Sequence, residues 1–485
     1  MSHNPLETDA ADVAEMGGLV AARIAQFVAG IPDRPVDNVS TPEETADLVR
    51  AFLAPPPETG GELKPLLDRL DEATACAVET TGPGFLAAVP GGGLYSSALG
   101  EFWARATNRY GSLAVAAPAL AALEESTVQW MARDVCGLPE GSGGLLTTGG
   151  SMANFSALVA ARHDRLGEDI GEGTVYTTPH AHHSVAKAAL LAGIKARNIR
   201  SVPCDGRLGM DVPAAEAMVR ADRAAGRRPF LVVGSAGTTD TGTIDPLAAI
   251  ADLARREGLW FHADAAYGGF FRLTERGRAA LTGLERADSV TLDPHKALFL
   301  PFGTGALVVR DPRTLRAAFS GTGTYLQDVG SYDGLPDYAG MGVELSHEVR
   351  GLRLWLPLHL HGVAAFRAAL DEKLDLARHV HDRLSAIPAL ELPLRPELST
   401  VVFRVRPHGT TRAAAEQADR ATRRLLEGVN AGRRVLLQST VIDGRQTIRV
   451  CVVSYRTHRD RIDELLDLVT AEAGRAASEG TGPGS

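Results

Sequence analysis

The sequence predicts an α/β protein: a mostly parallel sheet flanked by helices, followed by a smaller C-terminal α/β domain. Three observations predict it. Between residues 144 and 309, short apolar and β-branched runs alternate with helical stretches, as strands covered on both faces do. A second, shorter alternating region follows a long helical connection. Glycine and polar residues gather just after each apolar run (147–151, 177–183, 234–239, 263–267 and 293–296), where an open parallel sheet receives its ligand.

The 485 residues, 22% charged and 45% hydrophobic, have ordinary globular composition and suffice for two or three domains. A net charge of -9, from 50 Lys+Arg against 59 Asp+Glu, gives no pull toward a phosphate backbone or an anionic membrane surface, so neither is expected as a partner. The four cysteines, Cys76, Cys136, Cys204 and Cys451, are scattered without a CxxC pair, which fits a reducing cytoplasm. The start MSHNPLETDAADVAEMGG carries acidic residues where a secretory leader needs a basic region, so no export is expected. The most apolar stretch is read around residues 113–123; it contains Pro118 and falls short of the roughly 20 residues that span a bilayer.

Residues 11–53 read as a helix, a proline-containing connection and a second helix, with apolar spacing at Val20, Ile24 and Phe27. Residues 1–90 are therefore expected to be an N-terminal helical dimerisation segment, too short to make a core alone. The loop 82–93, with Pro83, Pro90 and three successive glycines, leads into a large domain over 91–365. Strands are expected there at 230–233, 259–262 and 289–292, and a helix over 245–256 whose Asp-Pro start suits an N-cap and first turn. One helical connection from Trp355 to about residue 386 leads into a small domain over 366–475, with strands at 399–405, 435–440 and 447–453. The tail 476–485, small and polar, is expected to be disordered.

Four features carry chemistry. In TTGGSMANFSALVAAR, Gly150 and Ser151 open a helix whose free N–H groups suit a phosphate, although a simple glycine turn reads equally well. Asp264 follows the apolar run LWFH, and Lys296 in TLDPHKALF follows another, 296 - 264 = 32 residues later. His180, His182 and His183 in HAHHSVAKA lack the partners and spacing of a zinc site, so no metal is expected; a packing or ring-stacking imidazole explains them. Pyridoxal phosphate needs a phosphate anchor, a flat stacking group, an acid for its pyridine nitrogen and an amine for a Schiff base, and this set supplies all of them.

The segments TTGGSMANFSALVAAR, HAHHSVAKAALLAG, GSAGTTDTGTIDP, FHADAAYGG and SVTLDPHKALFLPFGTG occur in an order and spacing that resembles the group II pyridoxal-phosphate decarboxylases, which act on aromatic amino acids, histidine and glutamate. The likeness spans about 85–455. It implies a fold-type I homodimer with active sites at the subunit interface, converting an L-amino acid, aromatic or otherwise bulky, to its amine and carbon dioxide. It further implies Lys296 as Schiff-base lysine, Asp264 as pyridinium partner and His182 as stacking histidine. Gly150, Ser151 and His295 match phosphate-binding positions, Thr239 lies beside the cofactor, and Tyr325, on a loop ending at Asp337-Tyr338, matches a proton-delivering tyrosine. Asp293 stands where asparagine is common, Ala88 and Val89 where aromatic residues often precede the pocket proline, and His347 and Glu348 where two arginines are common; Arg350 and Trp355 keep their places. The same cofactor site would also serve oxidative decarboxylation-deamination, carbon-carbon lyase chemistry or transamination, and a catalytically silent relative would lack a reason to keep Lys296 and Asp264.

Overall fold

The computed structural model describes residues 6–321 and 332–479. Seven strands form the large sheet: β1 (Gly143–Thr147), β2 (Gly173–Thr177), β3 (Ile199–Ser201), β4 (Arg228–Ser235), β5 (Trp260–Asp264), β6 (Ser289–Leu292) and β7 (Gly305–Val309). Their order is β1-β7-β6-β5-β4-β2-β3. The neighbours among β2 to β6 pair in parallel, whereas β7 runs antiparallel to both β1 and β6. All strands except β7 therefore end at one edge of the sheet, and β7 begins there.

Every residue of β1, β2, β5, β6 and β7 is buried. Helices cover both faces, which is why these strands read as continuous apolar runs rather than as alternating ones. The helix Gly150–Leu166 packs across β4, β6 and β7 and starts at the edge where the strands end.

One expected cap is absent. The helix after β4 starts at Leu247, and Asp245 turns its carboxylate to the backbone N–H groups of Ser235 (2.7 Å) and Met210 (2.8 Å). Burial there pushes its carboxyl up to about 6. The connection after Trp355 is two helices, Leu352–His361 and Val363–Ser385, broken at Gly362 with φ +73°.

The small sheet comprises β8 (Leu390–Glu391), β9 (Thr400–Val405), β10 (Gln438–Ile442) and β11 (Arg445–Cys451), in the order β10-β11-β9-β8. It is antiparallel throughout, unlike the large sheet. Asp443 and Gly444, at φ +50° and +73°, make the two-residue turn between β10 and β11, as Asp-Gly does in tight hairpins. The third strand starts at Gln438, later than residue 435, because Leu436 pairs instead with the incoming segment: Leu86 N–H donates to Leu436 O and Cys451 N–H to Leu86 O. Leu86 is thereby buried in the core of the small domain with Val401, Phe403 and Ile448. The last helix, Arg459–Glu479, extends into the stretch expected as tail; residues 480–485 lie outside the described ones.

The first helix, Ala10–Gly30, begins at the Asp9 cap and has no buried residue. With the following turn it forms the stretch Ala10–Asp33, which by length and composition is apolar enough to cross a membrane. It lies outside residues 113–123, the stretch expected to be the most apolar.

Replacement of Leu86 by Ala should cost about 2–5 kcal/mol of stability, the usual range for emptying a buried leucine site. Urea denaturation followed by circular dichroism would measure it.

Candidate active site

The strand ends open onto a cavity of about 260 Å³. Gly150 and Ser151 reach it from the turn after β1, His182 from the segment after β2, and Thr239 from the loop after β4. Asp264 ends β5, and His295 and Lys296 stand on the single helical turn Pro294–Ala297 after β6. The folded chain thus brings together every site residue expected from the sequence that lies among the described ones. Tyr325 lies outside them.

Local geometry explains each position. Gly149, at φ +154°, takes a conformation that side-chain-bearing residues rarely adopt, and it turns β1 into the helix Gly150–Leu166. The first helical hydrogen bonds come from the N–H groups of Met152 and Ala153. Those of Gly150 and Ser151, residues that line the cavity, have no acceptor inside the helix.

Asp264 is buried and accepts from Asn154 Nδ2 at 2.9 Å and from the backbone N–H of Ala266 at 3.2 Å. The second amide hydrogen of Asn154 goes to Ser184 Oγ at 2.9 Å, and Ser184 Oγ lies 2.7 Å from His182 Nδ1. Ser184 N–H also donates to His182 Nδ1, so that nitrogen is the acceptor and the proton sits on Nε2. Burial holds His182 below its ordinary 6.5, against the pull of Asp264.

Asn154 Oδ1 in turn accepts from Thr291 Oγ1 at 2.6 Å and His262 Nε2 at 3.0 Å. His262 Nδ1 meets Ser289 Oγ at 2.8 Å, and Ser289 accepts from Trp260 Nε1. Complete burial brings His262 down to about 4, so it is a neutral donor in this chain of bonds. Sequence reasoning missed Asn154 and Ser184. The available signal was an asparagine one turn inside an otherwise apolar helix, where it is a poor helix former without a buried partner.

Lys296 Nζ lies 2.9 Å from Asp293 Oδ2, and Asp293 Oδ1 is buried with no hydrogen-bond partner. His295 Nδ1 donates to the Thr304 carbonyl at 2.7 Å, leaving Nε2 3.8 Å from Asp293. The carbonyl of Thr239 accepts from Arg449 of β11, which also donates to Ala87 O, so the small domain holds this wall of the site.

Ala88, Val89, His347 and Glu348 do not line this cavity. Val89 is buried in the large core and Ala88 packs on Val36 and Phe85, because pairing of Phe85 with Leu436 draws this segment to the small domain. His347 is buried against Glu124, with Nε2 2.5 Å from its carboxylate, and Glu348 pairs with Arg353 and Arg350. Both line a second cleft of about 600 Å³ that shares Thr148 with the cavity.

A helix start with free N–H groups, a buried carboxylate held by an amide, a neutral imidazole and an amine at a strand end together suit one group. They fit pyridoxal phosphate, and with this sheet they define a fold-type I pyridoxal-phosphate enzyme. Residues 50–406 match the family model for the pyridoxal-dependent decarboxylase conserved domain. An aromatic-L-amino-acid decarboxylase of Bacillus atrophaeus is 32% identical, with 98% of each chain covered. An L-2,4-diaminobutyrate decarboxylase of Rhizobium meliloti is 33% identical over 72% of this chain and 70% of its own. The crystal structure of the Oryza sativa TDC with PLP and tryptamine superposes with TM-score 0.90 at 27% identity, covering 98% of this chain and 99% of that one. The chain belongs to the pyridoxal-dependent decarboxylase family and is a PLP-dependent amino acid decarboxylase.

Asn154→Ala should leave Asp264 and Ser184 short of a donor, at about 1–3 kcal/mol for unsatisfied buried groups. Steady-state kinetics should show kcat/KM reduced by roughly ten- to a hundredfold, the equivalent of that loss. The low His262 value fixes a pH effect. Folding favours the neutral ring, so its contribution is complete above about pH 6.5 and declines as pH falls toward about 4, by about 3 kcal/mol in all. In urea denaturation at pH 7 and pH 5, His262→Gln should lose less stability between the two than the parent.

Proposed function

We propose that this chain decarboxylates an aromatic or otherwise bulky L-amino acid, giving the amine and carbon dioxide. The observation that carries the assignment of roles is the convergence of Lys296, Asp264 and His182 on one cavity. The bound cofactor supplies an electron sink for the bond to the α-carboxylate; the chain supplies orientation and electrostatics. Lys296 provides the amine that holds the cofactor. Asp264, fixed by Asn154, presents a carboxylate to the pyridine nitrogen and keeps its proton in place. The His182 ring would stack on the cofactor, with its proton held on Nε2 by the bond from Ser184 to Nδ1. Gly150, Ser151 and His295 hold the phosphate, with Thr239 beside it. Proton delivery to the substrate Cα is assigned to Tyr325.

The substrate class rests on the aromatic decarboxylase that this chain resembles along its whole length and on the plant structure solved with tryptamine. The holoenzyme, incubated singly with the common amino acids and 2,4-diaminobutyrate, should release carbon dioxide and an aromatic amine. An aldehyde with hydrogen peroxide, a keto acid, or the diamine alone would displace this reading.

The active form is a homodimer in the cytoplasm, with no membrane or nucleic acid partner. Two faces support the dimer. Val13, Met16, Val20 and Ile24 are exposed on the first helix, and Tyr95, Leu99, Phe102 and Trp103 on the helix Tyr95–Thr107. These are helical stripes that water does not favour and a second subunit would cover. The four cysteines, all free, suit a reducing compartment. Light scattering of the eluted, active protein should give twice the mass of the chain; a monomer with full activity, or recovery in the membrane fraction, would refute the assembly.

Borohydride reduction of the holoenzyme should fix the cofactor on Lys296, and Lys296→Ala should lose the visible absorbance band and nearly all turnover. Asp264→Asn should fold and bind cofactor yet turn over slower by orders of magnitude, because an amide does not hold the ring proton. Peptide mapping and kcat measurements check both.

A further inference from the structure

The carboxylate of Asp293 sits at the phosphate end of the cavity, and nothing in the reaction above uses it. It is buried, with Oδ2 2.9 Å from Lys296 Nζ and Oδ1 without a partner. Two glycines make room for it. A Cβ added at Gly150, the first residue of the phosphate-facing helix, would come within 2.7 Å of Asp293 Oδ2. A Cβ at Gly305, the first residue of β7, would come within 2.8 Å of Oδ1 and 2.5 Å of the Gly149 backbone. The carboxylate is thus wedged against the helix start whose N–H groups and dipole attract an anion.

Two anions cannot share that helix start without repulsion, and the low local dielectric magnifies the effect. In the cofactor-free site the ammonium of Lys296 compensates Asp293. A bound cofactor would change both terms, since its phosphate at the helix start would lie near Asp293 and its Schiff base would engage Lys296. His182 and His295 are further titratable groups that face this carboxylate, and the His295 Nε2 at 3.8 Å is too distant for a hydrogen bond.

We propose that Asp293 limits how tightly this chain holds its cofactor, opposing the phosphate directly and competing for Lys296. The inference rests on Lys296 being the cofactor lysine. Its consequence is a specificity effect: the phosphate contributes less to cofactor affinity here than it would beside a neutral residue of the same shape.

Full-length protein stripped of cofactor, as the parent and as Asp293→Asn, is titrated with pyridoxal phosphate and with pyridoxal, following fluorescence quenching. The substitution should tighten pyridoxal phosphate at least tenfold, or about 1.4 kcal/mol, and pyridoxal by less, so that the ratio of the pyridoxal Kd to the pyridoxal phosphate Kd rises. Asp293→Ser, which removes the charge without adding an amide, should move the ratio in the same direction, and thermal melting confirms that the stripped variants are folded. An unchanged or falling ratio overturns the proposal. Borohydride mapping of the Asp293→Asn protein separates the two possible failures. A label on Lys296 with an unmoved ratio defeats this inference alone, and a label elsewhere defeats the lysine assignment with it.

Discussion

Asn154 donates both amide hydrogens and accepts two hydrogen bonds on its oxygen, and its four partners come from three elements: Asp264 at the end of β5 and His262 within it, Ser184 in the helix after β2, and Thr291 within β6. A buried side-chain amide with every capacity filled has one orientation, because any rotation leaves donors facing donors at a cost of kilocalories. That orientation is transmitted. Through Ser184 it determines which nitrogen of His182 carries the proton, and directly it sets the carboxylate of Asp264. The acid and the imidazole of the site are therefore aligned by one residue that need touch neither cofactor nor substrate.

The same network explains why histidines are safe in this interior. His262 is fully buried and would be costly as a cation, yet it is useful as a neutral bridge because one nitrogen donates to Asn154 while the other meets Ser289. His182 is only partly buried and is held below its ordinary value mainly by that burial. Neutral imidazoles on this side of the site leave Asp264 as the charge that a pyridinium would meet.

At the opposite end of the cavity the constraint is backbone proximity. The reversed strand β7 starts beside the turn that follows β1, and only glycine at 305 allows the two backbones and the Asp293 carboxylate to approach so closely. The antiparallel insertion in an otherwise parallel sheet therefore builds the phosphate end. The small domain contributes from a distance, through Arg449 bonded to the carbonyls of Thr239 and Ala87.

Much of this was legible in the order of residues. The strand-end positions of Asp264 and Lys296, the glycine helix start and the His182 segment are local patterns, and a strand followed by a polar turn places its residues at a sheet edge whatever the rest of the chain does. The helix pair at the N-terminus and both alternating regions were likewise local, since periodicity reports burial directly. What the sequence alone left open were matters of partnership between distant segments. Asp245 looks like a helix cap until Ser235 and Met210 are brought to it, and the segment before Pro90 gives no sign that Leu436 pairs with Phe85 and Leu86. Asn154 has no local signature of its role, because its four partners lie at 30 to 137 residues' separation. Local propensity and pattern determined the elements and the kinds of side chain offered at their ends. The pairing of those side chains, and hence the proton positions and charges of the site, was decided only by the packing of strands far apart in the chain.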